Sequence, residues 1–149
     1  MSLKHKTIQP RKEDAAQKWY LIDATGQTVG RLAAEIAERL RGKRLATFAP
    51  HVNPQVHIVV TNAEQVVFTG DKMRSKVYYR HSGYPGNLKE ATPRELLEKN
   101  PGEILRHAVR GMLPHNRLGE ALMKNLRIFS GAEHPHQGQT PEPLQIQTR

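Results

Sequence analysis

An apolar, β-prone run, Trp19-Tyr20-Leu21-Ile22, leads into the turn sequence Asp23-Ala24-Thr25-Gly26 and then into a segment of helical period. Val29, Leu32, Ala33, Ile36, Ala37 and Leu40 recur at the spacing of one helix face, with Arg31, Glu35, Glu38 and Arg39 off the stripe. Thr28 stands where an N-cap belongs and Gly42 where the helix should stop. Strand, tight turn and helix in this order make half of a βαβ unit.

The rest of the chain extends the pattern. Val56–Val60 is a nearly continuous apolar run, interrupted by His57, as expected of a parallel strand covered on both faces. Val66–Thr69 reads as another short strand closed by Gly70-Asp71, and the basic stretch after it as a loop. Thr92-Pro93-Arg94-Glu95 and Asn100-Pro101-Gly102-Glu103 both look like capping boxes with Pro at the first helical position. The first starts a short helix carrying Leu96 and Leu97. The second starts a longer one with Ile104, Leu105, Ala108, Val109 and Met112 on an expected core face, ended by Pro114. Leu118, Ala121 and Leu122 mark a third helix, and Leu126, Ile128 and Phe129 a last strand. The order predicts a small α/β domain with helices on a mostly parallel sheet. It spans 19–131, between an extended arm (1–18) and an extended Pro-, Gln- and His-rich tail (132–149).

With 149 residues the chain has room for one such domain. It has no cysteine, which excludes disulfide scaffolds, thiol nucleophiles and thiolate metal sites. No apolar run approaches a membrane span, and the N-terminus lacks a secretory h-region, so an intracellular protein without membrane partners is expected. The formal net charge is +9. It is concentrated: residues 72–89 carry five basic side chains and no acidic one. Smaller surpluses lie in 1–18, 31–44 and 109–127. Segregation of this kind points to a polyanionic partner.

Catalytic constellations are not evident. Gly26-Gln27-Thr28-Val29-Gly30 lies where phosphate loops lie but matches neither the dinucleotide nor the P-loop pattern. It reads as a tight turn whose small residues allow close helix–strand packing. An enzyme using it for a nucleotide is the alternative function, and a free RNA-binding regulator is another. Among eight histidines only His134 and His136 are close neighbours, too few for a metal site. Neither a cofactor, a metal nor a small-molecule substrate is expected. The Lys72–Lys89 stretch instead interleaves cations suited to phosphates (Lys72, Arg74, Lys76, Arg80, Lys89) with rings suited to stacking or ribose contact (Tyr78, Tyr79, His81, Tyr84).

Several local sequences carry a family resemblance. They are Gly30-Arg31-Leu32-Ala33, Leu40-Arg41-Gly42-Lys43, Asn62-Ala63, Lys76-Val77-Tyr78-Tyr79-Arg80-His81, Ser82-Gly83-Tyr84-Pro85-Gly86 and Gly111-Met112-Leu113-Pro114 with Leu118-Gly119. Glu133-His134-Pro135-His136 follows near the end. In this order the chain resembles the bacterial-type large-subunit ribosomal proteins of family thirteen, from about Trp19 to Pro141. The resemblance implies a three-layer α/β/α fold with a four-stranded parallel sheet. It also implies a structural role without catalysis: binding large-subunit rRNA beside neighbouring ribosomal proteins, early in subunit assembly, in the cytoplasm of a bacterium or in a bacterial-type organelle. After Pro114 the family commonly has Lys and Gly where this chain has His115 and Asn116, with Arg117 able to replace the charge. Where the family often has Gly-Asp before the second strand, this chain has Gln55 and Val56. RNA contacts are expected from the 72–89 residues, from Arg31, Arg41, Lys43 and Arg44, from Arg110, His115, Arg117 and Lys124, and from His134 and His136.

Overall fold

The computed structural model describes residues 10, 11, 13 and 15–146. Most of the expected arm, and the last three residues of the tail, lie outside the described residues. Strand β1 (Lys18–Asp23) leads through the turn into α1 (Val29–Leu40) and β2 (Val56–Thr61). A 3-10 turn (Ala63–Gln65) and a single helical turn, α2 (Lys72–Ser75), precede a hairpin of β3 (Tyr78–His81) and β4 (Leu88–Ala91). Helices α3 (Pro93–Lys99), α4 (Pro101–Met112) and α5 (Arg117–Met123) come next, then β5 (Leu126–Ile128) and β6 (Glu142–Pro143).

Four strands form one all-parallel sheet in the order β5-β2-β1-β6, and β3 and β4 form a separate antiparallel pair. The α/β class and the four-stranded parallel sheet agree with expectation, but the fourth strand is not the expected one. Val66–Thr69 makes only an isolated bridge, Val67 to Thr28. The tail supplies the fourth strand instead, Glu142–Pro143 pairing with Tyr20–Leu21, and Leu144 N–H donates to the Leu21 carbonyl at 2.8 Å. Pro143 fits there because an edge strand need not donate on its outer side.

One face of the sheet is the main core. Ile22, Ile58 and Val60 meet Leu32, Ile36 and Leu40 of α1 and Ile104, Leu105 and Val109 of α4 in a single buried cluster. Each such side chain, fully buried, contributes about 1.5–3 kcal/mol. Side chains alternate along a strand, so His57 and Val59 point to the other face. There the Trp19 ring stacks on His57 at 4.4 Å, and the tail crosses over them. His136 lies 5.3 Å from Trp19 and 5.8 Å from Phe129, and His134 lies 6.4 Å from Phe129. The second covering of the sheet is thus built by the extended tail.

Other local expectations meet mixed outcomes. Helix α1 begins after Thr28, yet the Thr28 hydroxyl caps nothing: its oxygen is buried without a hydrogen-bond partner. The first capping box forms, Glu95 N–H donating to Thr92 Oγ1, whereas the Asn100 side chain makes no cap and only its carbonyl accepts from Glu103. Met112 leaves the expected core face and is 47% exposed. The 72–89 loop is instead the α2 turn and the hairpin, because Gly83 and Gly86 at φ +97° and +73° let the chain reverse.

Two family-like motifs have purely structural reasons. At Gly119 a Cβ would fall 1.8 Å from the Pro114 carbonyl oxygen, while Asn116 Oδ1 accepts from the Gly119 N–H at 2.9 Å. The Gly-Met-Leu-Pro and Leu-Gly sequences are therefore the two sides of one α4–α5 corner. At Gly42, φ is +80° and a Cβ would meet Pro54 at 2.8 Å.

Candidate nucleic-acid interface

The carboxyl ends of parallel strands are the usual place for a ligand in α/β sheets. Here that edge is closed by its own polar groups. Asp23 Oδ1 accepts from the Thr25 N–H (3.0 Å), the Thr25 hydroxyl (2.7 Å) and the Asn62 amide (2.9 Å). These bonds, the Thr25 hydroxyl foremost, hold the Asp23 carboxyl below its ordinary value of 3.8. Asn62 N–H in turn reaches the Gly131 carbonyl, which ties the tail to this edge. In the Gly26–Gly30 turn the N–H groups of Gly26, Gln27 and Val29 donate to the carbonyls of Gln65, Ala24 and Val67. Those three N–H groups are therefore not free to cradle a nucleotide in the manner of a phosphate loop. It is not a packing device either, since a Cβ at Gly26 or Gly30 would meet nothing within 4 Å.

The cations gather elsewhere, around the solvent side of α4. Arg106, His107 and Arg110 project there, off the stripe buried by Ile104, Leu105 and Val109. On one side a cleft of about 440 Å³ is lined by Arg31, Lys72, Lys76, Tyr78 and His107. A second cleft, which meets the first at His107, adds Arg106, Arg110, Lys124 and Arg127 beside Glu103 and Glu120, and Arg127 hydrogen-bonds the Lys124 carbonyl. A third, shared through Arg110, adds His115 and Arg117. Shared walls make the three clefts one continuous surface. It joins Arg31 with the 72–89 and 109–127 blocks.

The hairpin extends this surface. Tyr78 is half-buried, its ring edge-on to His107 at 5.4 Å and capped by Lys76 Nζ at 5.0 Å. Burial raises its hydroxyl above the ordinary value of 10.0. Alternation puts Arg80 and Lys89 on the same hairpin face as Tyr78. Tyr79 faces the other way, 62% exposed, and Tyr84 stands at the tip, 74% exposed. Neither packs on the core, which leaves both rings open for stacking. His81 Nδ1 accepts from the Gly83 N–H and shapes the tip. Arg74 is exposed on α2.

The remaining expected residues lie apart. Arg41, Lys43 and Arg44 sit just past the far end of α1, which lies about 14 Å along the helix from Arg31. Arg44 pairs with Glu35 and Glu38 at 3.1 and 3.4 Å, and Arg39 pairs with Glu35 at 3.0 Å. Arg41 Nε is buried without a partner beside a separate cleft of about 450 Å³ lined also by Arg11, Lys18 and Phe48. His134 and His136 are half-buried in the ring cluster on the other sheet face. Neither Arg106 nor His107 stands out in the sequence as an RNA contact. The signal was available, for Arg106 and Arg110 are spaced i,i+4 on the polar side of a stripe already recognised.

Among the described residues no group of three or more acidic, histidine or cysteine side chains is arranged to hold a metal, and no helix is long and apolar enough to cross a membrane. Fold and surface together define a class: a basic α/β protein whose cations form a continuous, grooved surface around one helix and a projecting hairpin. The family model described as ribosomal protein L13 matches residues 17–135. The large ribosomal subunit protein uL13 of Lawsonia intracellularis is 54% identical over 141 residues, covering 95% of this chain and 98% of that one. Its counterpart from Rubrobacter xylanophilus is 52% identical over 141 residues (95% and 99%), and that from Symbiobacterium thermophilum 46% over 142 (95% and 99%). The chain belongs to the ribosomal protein L13 family.

Proposed function

We propose that this protein is a structural constituent of the large ribosomal subunit, binding large-subunit rRNA early in assembly and working within the cytoplasmic ribosome of a bacterium. The observation that carries the reading is the continuity of the basic surface from Arg31, Lys72 and Lys76 across Arg106 and Arg110 to Arg117 and Lys124. A surface of this kind neutralises phosphates along a folded RNA, and the rigid α/β core fixes their spacing. The exposed rings of Tyr79 and Tyr84 suit unstacked bases, and neighbouring ribosomal proteins would share the boundary of the site. Arg41, Lys43 and Arg44 form a secondary contact at the other end of α1, and His134 and His136 act through the tail they hold down. The protein performs no reaction in this role: it contributes shape and charge.

The test is incorporation. Wild-type protein should co-sediment with large subunits in high-salt gradients. Arg74→Glu combined with Lys76→Glu should leave the isolated fold intact, because both side chains are exposed, and should impair incorporation. A protein found mostly outside ribosomes would favour the free regulator. Normal incorporation of the double variant would remove the 72–89 stretch from the interface.

A further inference from the structure

The cleft between α1, α2, β3 and α4 has features that a general electrostatic surface does not require. It is a cleft of about 440 Å³, large enough for a nucleotide-sized group. Its cations, Arg31, Lys72 and Lys76, come from α1, from the start of α2 and from the C-cap of α2. The same lining includes exposed apolar groups: Val67 and Met112 are 46% and 47% exposed. The Thr28 hydroxyl oxygen on the wall is buried and unpartnered. Finally, Gly30 opens onto the cleft with no conformational or packing need for glycine: its φ is not positive and a Cβ would meet nothing within 4 Å.

A glycine in the first turn of a helix costs stability relative to alanine. Here neither backbone nor core demands it, so what it preserves is access to the backbone from outside. The ligand chemistry follows from the walls. Three cations and an idle hydroxyl suit a phosphate. The Tyr78 ring held edge-on by His107, together with Met112 and Val67, suits the flat face of a base or the C–H face of a ribose. A bare phosphate would leave the apolar side empty, and an apolar ligand would make no use of the positive charge of Lys72 and Lys76. We infer that this cleft receives a single nucleotide splayed out of the bound RNA, its phosphodiester against Lys72, Lys76 and Thr28 beside Gly30, and its base or ribose against Met112 and Tyr78. This rests on the rRNA-binding reading and makes it specific: one position of the RNA is captured in a pocket while the rest is held by surface charge.

Charge-neutral variants separate the pocket from the surface. Gly30→Leu fills the cleft, keeps every cation and should leave Tm unchanged or raised. Thr28→Val removes the idle hydroxyl at nearly constant volume. Affinity for a large-subunit rRNA transcript, measured by filter binding across a salt series, should fall at least tenfold for Gly30→Leu and several-fold for Thr28→Val. The salt slope of Gly30→Leu should be shallower by about one ion. Gly138→Leu, bulk added at an open glycine outside the cleft, should bind as wild type. Wild-type binding by Gly30→Leu and Thr28→Val, with wild-type protein binding normally, would overturn the pocket and leave the rRNA reading standing. Failure of wild-type protein to bind the transcript would overturn both. An arm with inorganic phosphate and with AMP distinguishes sources: a rise in Tm with either at submillimolar concentration assigns the cleft to a free ligand instead of RNA. If Gly30→Leu fails to fold, Gly30→Ala and Thr28→Val carry the same comparison.

Discussion

Arg80 and Lys89 stand directly opposite each other across the β3–β4 hairpin, two cations on one face of an antiparallel pair. Like charges in that position oppose pairing, by an amount comparable to the 0.2–1 kcal/mol (roughly) that a favourable cross-strand pair contributes. A two-stranded hairpin is marginal alone, and this one projects Tyr79, Tyr84 and Leu88 into solvent. Such an element is poorly optimised for the free protein and well suited to a polyanion. Lys89→Glu converts the repulsion into an Arg–Glu pair. The expected outcome is a Tm equal to or slightly above wild type, with weaker rRNA binding. Thermal denaturation and filter binding on the same samples check it.

The whole surface makes a quantitative demand on salt. If about six phosphates are contacted, the logarithm of the rRNA affinity should fall against that of salt concentration with a slope of roughly −4 to −5. A slope near −1 would show that the continuous basic surface is not what holds the RNA.

Gly119→Ala should be among the most damaging small substitutions in the chain. The added methyl would fall 1.8 Å from a backbone oxygen of Pro114, which cannot turn aside as a side-chain tip can. Urea unfolding should show a loss of about 3 kcal/mol or more, with the α4–α5 corner distorted. Gly111→Ala is the matched control. It lies in α4 over open space and should be neutral or stabilising by up to about 1 kcal/mol.

Acid should loosen the sheet's carboxyl edge first. The Asp23 carboxyl is held below 3.8 by the bonds it accepts from Thr25 and Asn62, so its contribution is complete above 3.8 and is lost as pH falls through the folded-state value. Thermal melts between pH 5 and pH 2 should show this loss. In Asp23→Asn the steepest part of the decline should be reduced.

The tail should respond at milder pH. His57 is held below its ordinary value of 6.5 by burial first, then by the charges of Arg127 on β5 and His136 on the tail. Gln17 stands 3.1 Å from His57 Nε2, and in the Nδ1–H tautomer its amide donates to that nitrogen, a bond the imidazolium would lose. With a depressed folded-state value, the packing is fully stable above 6.5 and weakens as pH falls below it. Limited proteolysis of residues 131–146 should be faster at pH 5.5 than at pH 7.5. His57→Phe, which keeps a ring on Trp19 and cannot titrate, should flatten the difference.

Local sequence by itself determined the elements that announce themselves over a few residues. The β1–turn–α1 unit, the Thr92 cap, the three successive helices and the concentration of cations in 72–89 follow from periodicity, turn chemistry and charge, which act between near neighbours. Tertiary structure decided the rest. Val66–Thr69 looked like a strand but found only Thr28 to pair with. The true fourth strand, Glu142–Pro143, has almost no strand signature and exists because β1 offers a free edge. Likewise no spacing in the chain relates Arg31 to Lys76, or Lys124 to Arg106: α4 brings them side by side. Strand pairing and electrostatic surfaces join residues far apart in the chain, and only the packing of helices on the sheet sets those distances.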